Sequence, residues 1–102
     1  MTQKMDPEVK AKWLEALRSG EYTQGRLTLH NRMSNEYCCL GVLCHVQDPE
    51  SLDNMPIATM RAEKVPDKFA AGLTHVRQRH LAKMNDKYKN FNFIADYIEE
   101  NY

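Results

Sequence analysis

Apolar residues recur at helical spacing near the start of the chain. The recurring positions are Val9, Trp13, Ala16 and Leu17. Asp6 precedes Pro7, an order typical of a helix start, because aspartate accepts hydrogen bonds from free backbone amides and proline at the first helical position loses none. Gly20 follows the last apolar position, as is common where helices end. The spacing predicts a helix over 6–19.

The pattern changes to alternation after this helix. Residues 26–30 alternate polar and apolar side chains, and residues 37–40 follow a polar loop over 31–36. With residues 37–40 as the returning strand, the two segments predict a β-hairpin. From there the helical period returns over 40–47, and its positions are Leu40, Leu43, Cys44 and Gln47.

The middle of the chain has no clear period. Residues 48–66 hold three of the four prolines, which predicts an irregular connection with a short extended piece near Ile57. Residues 67–71 indicate one or two helical turns. Thr74 then caps a predicted helix over 75–85, whose expected apolar stripe is Leu73, Val76, Leu81 and Met84.

A polar loop over 87–89 separates this helix from the last one. Asn90 is the expected cap. The predicted buried stripe is Phe91, Ile94, Ala95 and Ile98, and Phe93 and Tyr97 form a second, partly exposed row. The elements together predict a small α+β fold with about four helices packed around a short β-hairpin, in one domain over 1–102 with 1–5 flexible.

Composition agrees with a folded, soluble chain. The 102 residues are 42% hydrophobic and 27% charged, which excludes a disordered or collagen-like protein. No apolar run approaches the roughly 18–20 residues of a membrane helix, and the polar start is unlike a signal peptide. We therefore expect no membrane association and a cytoplasmic location.

Three clustered cysteines raise two chemical alternatives. Cys38, Cys39 and Cys44 lie within seven residues, and an odd, clustered set favours reduced, buried thiols over a disulfide framework. A zinc-stabilised module stays open, although no CxxC or HxxxH spacing supports it. A cysteine enzyme centred on Cys38 or Cys39 also stays open, because both precede a predicted helix and His30 is expected across the hairpin. No other catalytic spacing is present, so we expect no enzyme and no cofactor.

Charge is balanced overall but not locally. Fourteen Lys and Arg match fourteen Asp and Glu, yet residues 61–89 hold eight basic against three acidic side chains. A basic face of this kind attracts anions, although a solvated helix face is the plainer interpretation. Sequence-specific DNA binding is not expected, because the chain ends in an acidic helix where a recognition helix would be needed.

Several blocks of this sequence resemble a group of short phage and prophage proteins. They are WLEALRSGEY over 13–22, QG over 24–25, YCCLGVLC over 37–44, and LA, ND, F and IADYIE between 81 and 99. The chain departs from that group in having residues 87–90 where a glycine-containing turn is usual, which presents Tyr88 there. The resemblance implies a phage origin and no particular chemistry. Small phage proteins without catalytic motifs often bind a component of the host cell.

The resulting functional hypothesis is a phage-encoded, non-enzymatic binding protein. It would act in the bacterial cytoplasm as a host-takeover or counter-defence inhibitor, by blocking a host protein or sequestering a small anionic ligand such as a nucleotide. The candidate contact residues are Tyr22, Gln24, Arg26, Arg77, His80, Lys83, Asn85 and Tyr88. Some have plainer roles: Tyr22 and Gln24 in closing a turn, Asn85 in ending a helix. Exposed aromatic residues on the last helix would also support a homodimer.

Overall fold

The computed structural model describes residues 4–88 and 90–102. Its helices are α1 (Pro7–Arg18), α2 (Cys39–Gln47), α3 (Ile57–Arg61), α4 (His75–Lys87) and α5 (Phe91–Asn101), and its strands are β1 (Thr23–Gln24), β2 (His30–Asn31) and β3 (Glu36–Tyr37). One turn of 3-10 helix, Asp67–Phe69, lies where helical turns were predicted. The predicted small α+β fold is confirmed.

Helix α2 lies at the centre of the molecule. All of its residues from Cys39 to Cys44 are buried, and it packs against α1, α4 and β3. A helix that is apolar on every side is stable only in such a position. Gly41 brings it directly against the chain at Leu29, because a Cβ at this position would overlap the Leu29 carbonyl group.

The sheet confirms the predicted hairpin and adds a strand that was not predicted. Strands β2 and β3 pair antiparallel, with His30 opposite Tyr37. Strand β1 pairs parallel with β3, so the order is β1-β3-β2. Each strand has only two residues, so the sheet is a small patch beside the helices.

The predicted strand over 26–30 is wrong at Leu27. Leu27 has a φ of 65°, outside the extended region, and its amide donates to Asp86 Oδ1. Residues two apart in a strand share a face. Here the turn at Leu27 instead leaves Leu27 69% exposed while Leu29 is buried.

The predicted second strand over 37–40 ends early. Cys38 is already the cap of α2, and its Sγ accepts a hydrogen bond from the Gly41 amide at 3.4 Å. The helix therefore begins at Cys39, because its buried amino end needs partners for its free amides and finds them there.

Both terminal helices match the prediction closely. Asp6 Oδ1 accepts from the amides of Glu8 and Val9 at 2.9 and 3.2 Å, and Asn90 Oδ1 accepts from Asn92 at 2.8 Å. The predicted stripe of α5 is fully confirmed as buried. Arg18 on α1 also bridges to Asp96 and Glu99 on α5, at 2.8 and 2.9 Å.

The expected extended piece near Ile57 is wrong, because α3 occupies that position. The Pro56 carbonyl accepts from the Met60 amide, which closes a helical turn. The Met60 carbonyl in turn accepts from the Leu29 amide at 3.0 Å, and the Met60 side chain is buried. The turn is thus fixed by its contact with the chain before β2.

Two amide side chains of helix α4 are buried together with three residues of its predicted stripe, Leu73, Leu81 and Met84. The prediction that Thr74 caps this helix is confirmed, because Thr74 Oγ1 accepts a hydrogen bond from the Arg77 amide. The predicted stripe is wrong at Val76, which is 78% exposed. Two amide side chains, Gln78 and Asn85, take buried positions two turns apart on the helix.

Asn85 holds three parts of the structure together. Its Oδ1 accepts from the Cys39 amide and from Gln24 Nε2, both at 3.1 Å, and its Nδ2 donates to the Gly25 carbonyl at 2.7 Å. Asn85 is completely buried. We call this set of hydrogen bonds the Asn85 clamp, since it ties α4 to α2 and to the chain leaving β1.

The start of the described chain is packed into the fold. Met5, which the sequence placed in a flexible segment, is buried, and its amide donates to the Tyr102 carbonyl at 3.4 Å. Residues 1–3 of that segment lie outside the described residues.

Replacing Asn85 with alanine should destabilise the fold by about 3 kcal/mol or more. The substitution leaves the Cys39 amide and the Gly25 carbonyl buried without their partner, at a cost of about 1–3 kcal/mol for each group. Chemical denaturation measures the change in the free energy of unfolding. The control is Asn92→Ala on the exposed face of α5, which should change it by less than about 0.5 kcal/mol. Equal effects of the two substitutions would contradict the clamp.

Candidate functional site

The eight predicted contact residues lie in four places. Gln24 and Asn85 belong to the buried clamp, so the expectation that Asn85 lies outside the core is wrong. Gln24 Nε2 also donates to the Tyr88 carbonyl at 2.6 Å. Their amides are used in holding the fold together.

Tyr22 lies in an aromatic cluster at the turn after α1. Its hydroxyl is 2.6 Å from His45 Nδ1, and its ring meets Tyr37 edge-on at 5.0 Å between centroids. The His30 ring stacks on the other side of Tyr37 at 4.3 Å. Burial raises the pKa of both tyrosines. Tyr37 and His45 were not among the predicted contact residues. Tyr37 lies in a strand and His45 in a helix, and their sequence positions gave no sign that the two side chains meet.

Besides Asn85, four of the predicted residues lie on or beside α4. His80, Lys83 and Tyr88 line a groove of about 350 Å³ between α4 and α5, together with Met84, Lys87, Phe93 and Tyr97. We call it the α4–α5 groove. Three aromatic rings, the His80 imidazole and two lysine side chains therefore surround one depression, and the residues that line it include no Asp or Glu.

The rings of the α4–α5 groove are held in place by one another. Tyr88 and Phe93 have centroids 4.7 Å apart, and the Lys87 ammonium lies 5.4 Å from the Tyr88 ring centroid. On the other side, the Tyr97 hydroxyl lies 3.3 Å from His80 Nδ1. Phe93 stays about half exposed, so its face is open to a ligand.

Arg77 is on the same helix but outside this groove. Its guanidinium lies 4.8 Å above the Tyr102 ring, which also meets Tyr97 edge-on. Burial of Tyr102 raises its pKa to about 12. Arg77 thus packs the chain end against α4, and its charge contributes to the same basic side of the molecule.

Arg26 lies in a separate groove, beside β2 and α3. This groove has a volume of about 560 Å³. It also contains Arg32 and Arg61, which were not among the predicted contact residues. No periodic pattern connects the three arginines, which come from a loop before β2, a loop after it and α3.

The three thiols are interior groups. Cys38, Cys39 and Cys44 are buried and unpaired as disulfides. Burial raises the pKa of Cys38 and Cys39 well above the ordinary value and that of Cys44 to about 12. A nucleophilic cysteine needs a lowered pKa and an approach for substrate, so this arrangement gives the cysteine-enzyme hypothesis no support.

Across residues 4–88 and 90–102, no three His, Cys, Asp or Glu side chains converge as a metal site would require. None of the helices described is long and apolar enough to cross a membrane.

Glu63 is an ionisable side chain in an unfavourable place. It has a φ of 52°, and its Oε2 is buried without a hydrogen-bond partner among the described residues. Burial, and then the nearby Asp86 carboxylate, raise its pKa to about 7. The folded protein therefore holds a proton on Glu63 more tightly than the unfolded chain does.

The thiols should resist alkylation in the native protein. We expect iodoacetamide to react at least about a hundredfold more slowly with the folded chain than with the chain in guanidinium, because reaction requires an opening of the core. Mass spectrometry counts the modified cysteines over time. A cysteine that reacts in the native protein as fast as a free thiol would restore the cysteine-enzyme hypothesis.

Stability should fall as the pH rises through the titration of Glu63. Its pKa is 4.5 ordinarily and about 7 in the fold, so between these values the native state binds more protons and each rise in pH favours unfolding. Glu63→Gln should therefore raise the free energy of unfolding at pH 8 by about 1 kcal/mol, a value discounted for partial solvent screening. Urea denaturation at pH 5 and 8 measures this. Exposed Glu100→Gln is the control, and equal changes in both variants would contradict the assignment.

Comparison with known proteins gives a family and no activity. The family model described as "Domain of unknown function (DUF8296)" matches residues 5–65, more than half of the chain. The matched part runs from α1 through α3, and α4 and α5 lie beyond it. Neither a curated protein nor a solved structure matches. The chain belongs to the family of this domain of unknown function, DUF8296.

Proposed function

We propose that this protein is a non-enzymatic binding protein whose α4–α5 groove takes a small anionic ligand with an aromatic ring, of the nucleotide class. The observation that carries the proposal is the combination, in one open groove, of exposed rings with lysines and no acidic side chain in its lining. Nucleobases stack on aromatic side chains, and phosphates are attracted by lysine.

The shape of the groove supports this class of ligand. A volume of about 350 Å³ is at the lower end of the range for small-molecule sites, which run from about 300 to 1,000 Å³. Phe93 and Tyr88 offer a stacking surface on one side, and Lys83 and Lys87 lie along α4 next to it. A base on the rings would leave its phosphates beside the ammonium groups.

The biological role follows from the resemblance to phage and prophage proteins. We propose that the chain acts in the cytoplasm of a bacterial host and withdraws a nucleotide on which host metabolism or a defence system depends. Sequestration needs binding without turnover, and the buried thiols agree with this because they leave no activated nucleophile among the cysteines.

Charge reversal in the groove should weaken nucleotide binding. Isothermal titration with the common ribonucleoside diphosphates, their nucleosides and pyrophosphate tests the proposal on the full chain. We expect at least one diphosphate to bind more tightly than its nucleoside and than pyrophosphate. Lys83→Glu and Phe93→Ala should each weaken it by about tenfold or more, or about 1.4 kcal/mol.

The matched control is Lys12→Glu on the exposed surface of α1, which makes the same change in net charge. It should leave affinity within about twofold, since exposed charges beyond a Debye length are screened. In cells, the wild-type chain should lower the concentration of unbound nucleotide, and the Lys83→Glu variant should not. The absence of saturable binding to every diphosphate, or equal effects of the two charge reversals, would overturn the proposal.

A further inference from the structure

The second groove combines exposed apolar side chains with arginines. It lies between the loops on either side of β2 and helix α3, and its volume is about 560 Å³. The residues that define it are Arg26, Leu27, Arg32, Met33, Ile57 and Arg61. We call it the arginine groove.

Exposed apolar surface is concentrated here. Of the six large hydrophobic side chains that are exposed in the described part of the chain, three line the arginine groove: Leu27 is 69% exposed, Met33 99% and Ile57 57%. Single exposed hydrophobic residues are ordinary, but a group of them in one depression is typical of an interaction site. Water would be displaced from all three by one partner.

The backbone at Leu27 is held in a costly conformation to present this side chain. A φ of 65° is uncommon for any residue other than glycine, and it is strained for a bulky one. Asp86 Oδ1 holds the Leu27 amide at 3.3 Å. Glycine or asparagine would adopt this turn more easily, so the structure bears strain at a position where the side chain contributes nothing to the core.

The charged side chains that line the groove have one sign, although the Asp86 carboxylate lies next to them, where it accepts a hydrogen bond from the Leu27 amide. Three arginines line it, and the lining includes no Asp or Glu. The guanidinium of Arg32 donates to the main-chain carbonyls of Leu52 and Asp53 at 2.7 and 2.9 Å, so it is fixed in position by groups that carry no net charge. A partner that fits must therefore bring carboxylates to the rim and apolar side chains to the centre.

The composition of the groove distinguishes between kinds of partner. Its exposed apolar residues are aliphatic, whereas proteins that bind single-stranded nucleic acid present aromatic rings on which bases stack. A symmetric dimer through this face would place arginines against arginines, which is repulsive. We propose that the arginine groove docks an acidic segment of a partner protein, with its large apolar side chains seated on Leu27, Met33 and Ile57.

Peptide selection against the full-length chain tests this proposal. A random peptide library should yield binders rich in Asp and Glu that also carry Leu, Ile, Met or Phe. A fluorescein-labelled copy of the most enriched peptide then serves as the probe in fluorescence anisotropy. Arg26→Glu with Arg61→Glu should weaken its binding by about tenfold or more.

Leu27→Asn separates the docking role from folding. Asparagine tolerates positive φ, so this variant keeps the backbone while removing the exposed apolar group, and it should be at least as stable as the parent. It should weaken peptide binding by about fivefold or more. The matched control is Val76→Asn, which removes an exposed apolar side chain from α4 and should leave affinity unchanged.

Three results would overturn the proposal. The first is a set of selected peptides without acidic enrichment. The second is weaker peptide binding by the Lys83→Glu variant of the α4–α5 groove, together with unchanged peptide binding by the variant that carries Arg26→Glu and Arg61→Glu. The third is displacement of the peptide by a single-stranded oligonucleotide at equal concentration, which would favour a nucleic-acid surface. None of these results depends on whether the α4–α5 groove binds a nucleotide.

Discussion

The backbone of Cys39 is the point on which the arrangement of this protein depends. Its amide donates to Asn85 Oδ1 at 3.1 Å, and its carbonyl accepts from Trp13 Nε1 at 2.8 Å. The backbone of one residue at the start of α2 is thereby joined to both α1 and α4. Both hydrogen bonds are buried, where an unpaired polar group costs about 1–3 kcal/mol and neighbouring bonds strengthen one another.

The same network reaches both surface grooves. Asn85 Nδ2 holds the Gly25 carbonyl, directly before the Arg26 and Leu27 turn of the arginine groove. Gln24 Nε2 holds the Tyr88 carbonyl, at the rim of the α4–α5 groove. Rim residues of two separate sites are therefore positioned by one set of interior amides. Binding surfaces are more precise when buried contacts hold the elements that carry them.

The elements could be predicted where apolar spacing and caps agree, as at Asp6, Thr74 and Asn90. Prediction failed where a tertiary contact decides the local structure. In the sequence, Leu27 looks like a strand residue. In the fold, its amide donates a hydrogen bond to Asp86, which only the tertiary structure brings close. In the sequence, Asn85 looks like a residue that ends a helix. A polar amide is expected on the surface unless its buried hydrogen-bond partners are known. The α4–α5 groove was anticipated through His80, Lys83 and Tyr88, which are close in sequence. The arginine groove was not, because its arginines come from three segments that only the fold brings together.

Native-state hydrogen exchange of the Cys39 amide tests the central claim most directly. If the Asn85 clamp holds the helices together, this amide exchanges only when the whole protein unfolds, and its opening free energy equals the free energy of unfolding measured with denaturant. Its exchange should also respond to urea as strongly as global unfolding does. An opening free energy several kcal/mol lower, with little dependence on urea, would show that α4 separates from α2 by local fluctuation and would contradict the account.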